Sequence, residues 1–201
     1  MPSTVSSIEI ANMALGFIGT RTIASLTENT PEAIQCRLFW DRARRAVLRD
    51  YPFPFAQQRV SLAQKEVPEV YSGEWKYVYG YPRNCLKIHR VHGQGKEKRW
   101  QTIPFIINNV DGVLHVFTNI QPAQAEITVD NTDLSLADDA FGLALARKLA
   151  CFIVVPLLKN NQNKVQEVEQ LYQMGMQSLQ SQAASEQEED EPADTWLLTR
   201  M

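Results

Sequence analysis

Apolar positions recur at helical spacing over the first fifty residues, at strand spacing through the middle, and at helical spacing again afterwards. Ile8, Ala11, Leu15 and Ile18 step by three and four, which predicts an amphipathic helix. Ser6 followed by Glu9 has the form of a capping box, and Gly19 supplies a stop. Thr30-Pro31-Glu32 marks a second start, with Thr30 as N-cap and Pro31 at the first helical position. Ala33, Cys36, Trp40, Ala43 and Val47 then continue the step, and Leu38 and Phe39 widen the stripe towards more than one packing side. The prolines Pro52 and Pro54 end this helix.

Segments 59–63, 75–79 and 85–91 alternate or are rich in aromatic and β-branched residues, as strands are. Asp111-Gly112 between two such runs is a hairpin signal, and 125–131 is a further strand. Helical character returns at 135, with Ser135 as a cap and Asp138 three residues on. This helix is apolar on most sides, as a central helix would be, and Pro156 should kink or end it. A last helix over about 162–184 carries Val165, Val168, Tyr172, Gly175 or Met176, and Leu179 as its stripe. After Ala184 the chain turns acidic and glutamine-rich, the composition of a disordered arm. The expected fold is therefore α+β. A discontinuous helical bundle (1–55 and 133–185) carries an inserted antiparallel β-rich region (56–132) and ends in an extended arm (186–201).

Composition adds bounds. A chain of 201 residues with 44% hydrophobic and 21% charged residues can bury a core without staples. A net charge of −3 argues against a freestanding nucleic-acid module, which is usually basic. Cys36, Cys85 and Cys151 are scattered, which points to a reducing compartment rather than a disulfide framework. The first residues lack the pattern of a signal peptide, and the most apolar run, 149–158, is too short to span a bilayer. No membrane insertion is expected.

Candidate chemistry is sparse. Cys85, His89 and His92, with His115, invite a metal reading, but strict strand alternation puts Cys85 and His89 on one face and His92 on the other. No zinc-class spacing is met, so no metal is expected. Gly93-Gln94-Gly95-Lys96 reads as a hairpin tip and not as a phosphate loop, and no cofactor motif is present. Glu9 with Glu28 or Glu32 could in principle form the carboxylate pair of a glycoside hydrolase, although Glu9 already has a capping role. Arg37, Arg42, Arg44, Arg45 and Arg49 form a basic face that would suit a neighbouring subunit or DNA phosphates, while Asp41 sits four residues from Arg37 and Arg45.

The acidic arm carries Trp196, Leu197 and Leu198. Burying them yields roughly 1.5–3 kcal/mol each, while ordering each residue of the arm costs about 1–2 kcal/mol. One arm therefore binds weakly, and many arms on a ring bind together through avidity.

Residues 10–62 resemble the opening of the tail tubular protein A family, the head-to-tail adaptors of short-tailed bacteriophages. The resemblance is carried by Asn12, Ala14, Leu15, Ile18 and Gly19, then Ile23, Ser25 and Leu26, then Glu32 and Ala33, and the element Pro54-Phe55-Ala56. A phenylalanine, Phe53 or Phe55, stands where the family's proline-aromatic element has tryptophan. Trp75, Tyr77, Tyr79, Tyr81, Pro82, Cys85 and Leu86 are similar to a later segment, and Asp194 to Arg200 to the family's terminal acidic-tryptophan-leucine-arginine motif. The resemblance implies a helical bundle with a β insertion and a non-enzymatic role in the tail or neck of a virion assembled in the host cytoplasm. It also implies a ring, typically dodecameric, seated between the portal protein and the tail nozzle or tube. Genomic DNA would pass through its lumen without being read, and Trp196, Leu197, Leu198 and Arg200 would grip the portal. The rival readings are a tail-associated peptidoglycan hydrolase and a DNA-binding module built on the arginine-rich helix.

Overall fold

The computed structural model describes residues 6–66, 68, 73–93, 103–159 and 161–187. They form an α+β chain with helices α1 (Ser7–Ile18), α2 (Pro31–Asp50), α3 (Asp139–Leu158) and α4 (Gln162–Gln187). Seven strands lie between α2 and α3: β1 (Gln57–Ser61), β2 (Gln64–Lys65), β3 (Tyr77–Gly80), β4 (Cys85–His92), β5 (Phe105–Val110), β6 (Val113–Thr118) and β7 (Gln124–Val129). The described chain separates into two compact units, 44–137 and 6–43 with 138–187, the division falling inside α2.

In the helical unit, α1 begins at the expected capping box and ends at Gly19, whose φ of 76° is the left-handed conformation glycine adopts without strain. Its inner face buries Ile10, Ala11, Ala14, Leu15 and Ile18. The loop that follows is held by Asn12, whose side chain accepts from Ile23 N at 2.8 Å and donates to Ile23 O at 3.0 Å. Glu28 closes the same loop by accepting from Ala24 N and Ser25 N. Thr30 caps α2 through Ala33 N, as expected.

Helix α3 is central: α1 and α4 both pack on it, and it buries residues from Phe141 to Val154. By length and composition it could cross a membrane, being longer than the run 149–158 suggests, yet half of its most apolar stretch is buried within the protein. Its start differs from expectation. Asp138, not Ser135, caps it by accepting from Phe141 N at 2.8 Å, and Ser135 N instead donates to Asp133. Pro156 does not stop the helix at once; α3 ends two residues later, with Lys159 left-handed at its cap. Phe39 of α2 stacks on Phe152 of α3 at 5.6 Å, whereas Leu38, expected in the widened stripe, is 61% exposed. On α4, Val168, Tyr172 and Met176 are buried as the stripe requires, and the helix runs three residues past Ala184.

In the β unit, two antiparallel sheets have the strand orders β1-β7-β4 and β2-β3-β6-β5. Both contribute to one apolar cluster: Tyr79 and Val116 from the larger sheet, Ile88, Val91, Ala125 and Ile127 from the smaller. Asp111 and Gly112 close the β5–β6 hairpin with φ of 52° and 82°, the two positive values that a two-residue I′ turn needs.

The last turns of α2 belong to this unit and join it through a buried charge. Arg44 is 1% exposed; its Nη1 donates to Asn131 O at 2.6 Å and lies 2.7 Å from Asp130 Oδ1 in an ion pair. Arg45 Nε takes the other Asp130 oxygen at 2.8 Å. Lys87 Nζ on β4 donates to Arg49 O, one of the terminal carbonyls that a helix leaves unpaired.

Two substitutions test these anchors by urea unfolding. Asp130→Ala strands the Arg44 guanidinium and should cost about 3–5 kcal/mol, more than the double variant Arg44→Met with Asp130→Asn, which removes both charges. Asn12→Ala leaves the Ile23 backbone unpaired in a 4% exposed position and should cost roughly 1–3 kcal/mol.

Candidate functional site

The arginine-rich stretch of α2 does not present one basic face. Arg44 is buried on Asp130, which removes it from any contact surface. Arg37 Nη1 donates to Leu26 O at 2.9 Å, tying α2 to the preceding loop. Arg45 remains half exposed while bonded to Asp130. Arg42 and Arg49 are exposed. Three of the five arginines are thus engaged in holding the fold, which corrects the expectation that Arg44 belongs to an exposed basic face. Arg44 lies four residues from both Trp40 and Leu48, next to the buried Ala43 and Val47.

A second polar surface, not anticipated from the sequence, is the outer face of the β1-β7-β4 sheet. Glu126 on the central strand pairs in register with Arg59 and Arg90 on its two neighbours, and Arg59 Nη2 lies 3.5 Å from its carboxylate. Two register shifts in β4 rearrange the histidines relative to simple alternation. His89 Nε2 lies 2.7 Å from Thr128 Oγ1 and His92 Nε2 lies 3.0 Å from Glu126 Oε1. Since Thr128 and Glu126 are two apart on β7, both histidines share this face. Cys85 points the other way, its Sγ donating to Tyr81 Oη at 3.4 Å beside the apolar cluster. The expected grouping of Cys85 with His89 is corrected accordingly. No cluster of three metal-ligating side chains occurs among the described residues.

Burial raises all three thiols, pushing Cys36 and Cys151 up to about 11. For Cys36 the nearby Glu32 adds to the rise. Such thiols stay protonated and are poor nucleophiles at neutral pH. The carboxylates weighed for hydrolysis each serve a local structure. Glu9 accepts from Ser6 N, Glu28 from the loop amides, and Glu32 from Arg21 Nε at 3.2 Å. Backbone and Arg21 hydrogen bonds hold Glu32 below the usual carboxylate range.

A groove of about 430 Å³ lies between α3 and α4. Leu143, Met174 and Leu179 line it, and Arg147 projects into it over Gly175, where any Cβ would collide with the guanidinium. Arg147 Nε is buried and finds no acceptor. The neighbouring Lys148 sits 4.3 Å above the Tyr172 ring. Trp196, Leu197, Leu198 and Arg200 lie outside the described residues, as does the Gly93 turn beyond Gly93 itself.

Comparison with protein-family models and with curated proteins finds no match to this chain.

Of the residues carrying the family resemblance, Asn12, Gly19, Ile23 and Ser25 build α1 and its following loop. Their chemistry is scaffold chemistry.

The His89 environment yields a pH dependence. Burial, and then the Lys87 charge, depress its folded value below the ordinary 6.5. The unfolded chain therefore takes up the proton first as pH falls. Stability from this site is complete above 6.5 and declines below it until the folded value is reached. His89→Gln keeps a polar partner for Thr128 and should show a shallower decline in that window. Equal slopes in urea titrations across pH would reject the assignment.

Proposed function

We propose that the chain is a structural virion protein, a head-to-tail adaptor whose ring joins the portal to the tail nozzle or tube and continues the DNA channel. The supporting observation is the ordered run of family-like residues from Asn12 to Ala33, which recurs in segments as far as Arg200. The α+β architecture, helices flanking an antiparallel β region in sequence, is the one that resemblance implies. A ring needs a heterologous contact whose rotation closes. The exposed Arg42 and Arg49 and the sheet face around Arg59 and Arg90 offer polar surfaces for such a contact. In this reading no catalysis is required, the genome passes without being read, and the acidic stretch tethers Trp196, Leu197 and Leu198 to the portal. Avidity across a ring makes weak individual arms sufficient.

Mass photometry of the chain alone and mixed with its cognate portal tests the proposal. The expected result is one defined high-mass complex with portal, lost when residues 186–201 are deleted. A chain that stays monomeric in both samples would reject the adaptor role. Portal binding that survives the deletion would reject the arm as the grip.

A further inference from the structure

The α3–α4 groove combines three features that call for an occupant. Its rim exposes apolar side chains, with Met174 67% and Leu143 36% exposed. It is lined by the Arg147 guanidinium, which makes no ion pair among the described residues and whose buried Nε has no acceptor. Gly175 leaves open the space that the guanidinium fills. A half-buried guanidinium with an unsatisfied buried N–H is costly, and an apolar rim beside it selects a ligand that is both acidic and apolar.

Such a segment follows directly from α4. Residues 188–198 read EEDEPADTWLL, acids followed within two residues by Trp196, Leu197 and Leu198. Helices α3 and α4 are joined by only residues 159–161 and pack side by side, so the groove runs back along α4 from Gln182 towards Leu171. From Gln187 back to Gly175 is twelve helical residues, about 18 Å. Extended chain covers at most about 3.5 Å per residue, so four residues to Glu191 reach about 14 Å and seven to Asp194 about 24 Å. Asp194 is the first acid with the reach to meet Arg147. The next side chains, Trp196 to Leu198, then fall beside Met174 and Leu171.

We propose that segment 188–201 folds back on its own chain and occupies the α3–α4 groove, with Asp194 on Arg147 and Trp196-Leu197-Leu198 over Met174 and Leu171. A short tether gives a high effective concentration, which favours the chain's own segment over that of a second copy. The docked state sequesters the apolar anchor. This goes beyond the adaptor reading and stands without it, since the groove and the segment belong to one chain.

Hydrogen–deuterium exchange on the full chain and on a chain ending at Gln187 provides the test, with no portal present. Peptides covering 140–147 and 171–182 should exchange more slowly in the full chain by roughly fivefold, the protection given by about four-fifths occupancy. Arg147→Glu in the full chain should abolish that difference, Arg147→Lys should retain most of it, and exchange in α1 should not change in either. A synthetic 188–201 peptide added to the shortened chain should restore protection, and one with Trp196, Leu197 and Leu198 replaced by alanine should not. Equal exchange in full and shortened chains would overturn the proposal. Protection that grows with protein concentration would also overturn it, by assigning the groove to a second copy.

Discussion

The β unit is organised around one buried positive charge. A guanidinium at 1% exposure survives only where several acceptors surround it, and Arg44 obtains them from Asp130 and the Asn131 carbonyl. That requirement fixes where β7 must end, because Asp130 follows its last residue, Val129. Asp130 N in turn donates to Asn84 O at 2.7 Å, which sets the turn before β4. Arg45 neutralises the remaining carboxylate oxygen from the solvent side. The final turns of α2, the end of β7 and the start of β4 thus meet at one residue. The pair is better understood as a device of registration than of net stability, since buried ion pairs seldom gain much over apolar packing.

What the sequence made legible were features set by local chemistry. The capping box at Ser6, the glycine stop at position 19, the Thr30 cap and the Asp111-Gly112 turn each depend on residues within three or four positions. The α4 stripe was equally readable, because a helix buried on one side shows its period plainly. The misplaced features depended on distant partners or on local competition that the pattern does not resolve. Arg44 carries a charge that composition assigns to solvent, and only Asp130, far along the chain, makes burial affordable. The β4 histidines changed faces because two bulges break the period of two, and nothing in CLKIHRVH announces a bulge. Ser135 and Asp138 both have capping side chains; the competition was decided by Asp133, which engages the Ser135 amide. The two-residue β2 carries no apolar pattern, so its pairing with β3 left no trace in the sequence.

The site was less legible than the fold for a related reason. Residues with chemical potential, the three cysteines, the glutamates of the first helices and the histidines of β4, all have local structural partners or are buried. Family-like residues such as Asn12 and Gly19 likewise maintain a loop and a helix end. A protein whose work is to hold others in place would be expected to spend its distinctive residues in this way, on shape. The adaptor proposal is consistent with that economy.

Charge distribution offers a further physical argument. The excess acid of the chain is concentrated after residue 185, where five of its 23 acidic side chains follow one another within Glu186–Glu191. Without that cluster, counting 20 basic against 18 acidic residues, the remainder is slightly basic. The overall charge of −3 is therefore a property of one segment of the chain. An acidic tether attached to a near-neutral body is attracted weakly to any cation left unpaired on that body. Among the described residues Arg147 is such a cation, reaching from α3 over Gly175 of α4, the helix that the acidic stretch follows. Attraction of this kind is short-ranged in salt, because exposed charges more than about 10 Å apart are largely screened. It therefore acts only after the chain has turned back along α4. Apolar contact by Trp196, Leu197 and Leu198 supplies what the charges cannot, a gain that salt does not screen. The order of the segment, acids first and apolar residues after, lets a tether approach through charge and hold through burial.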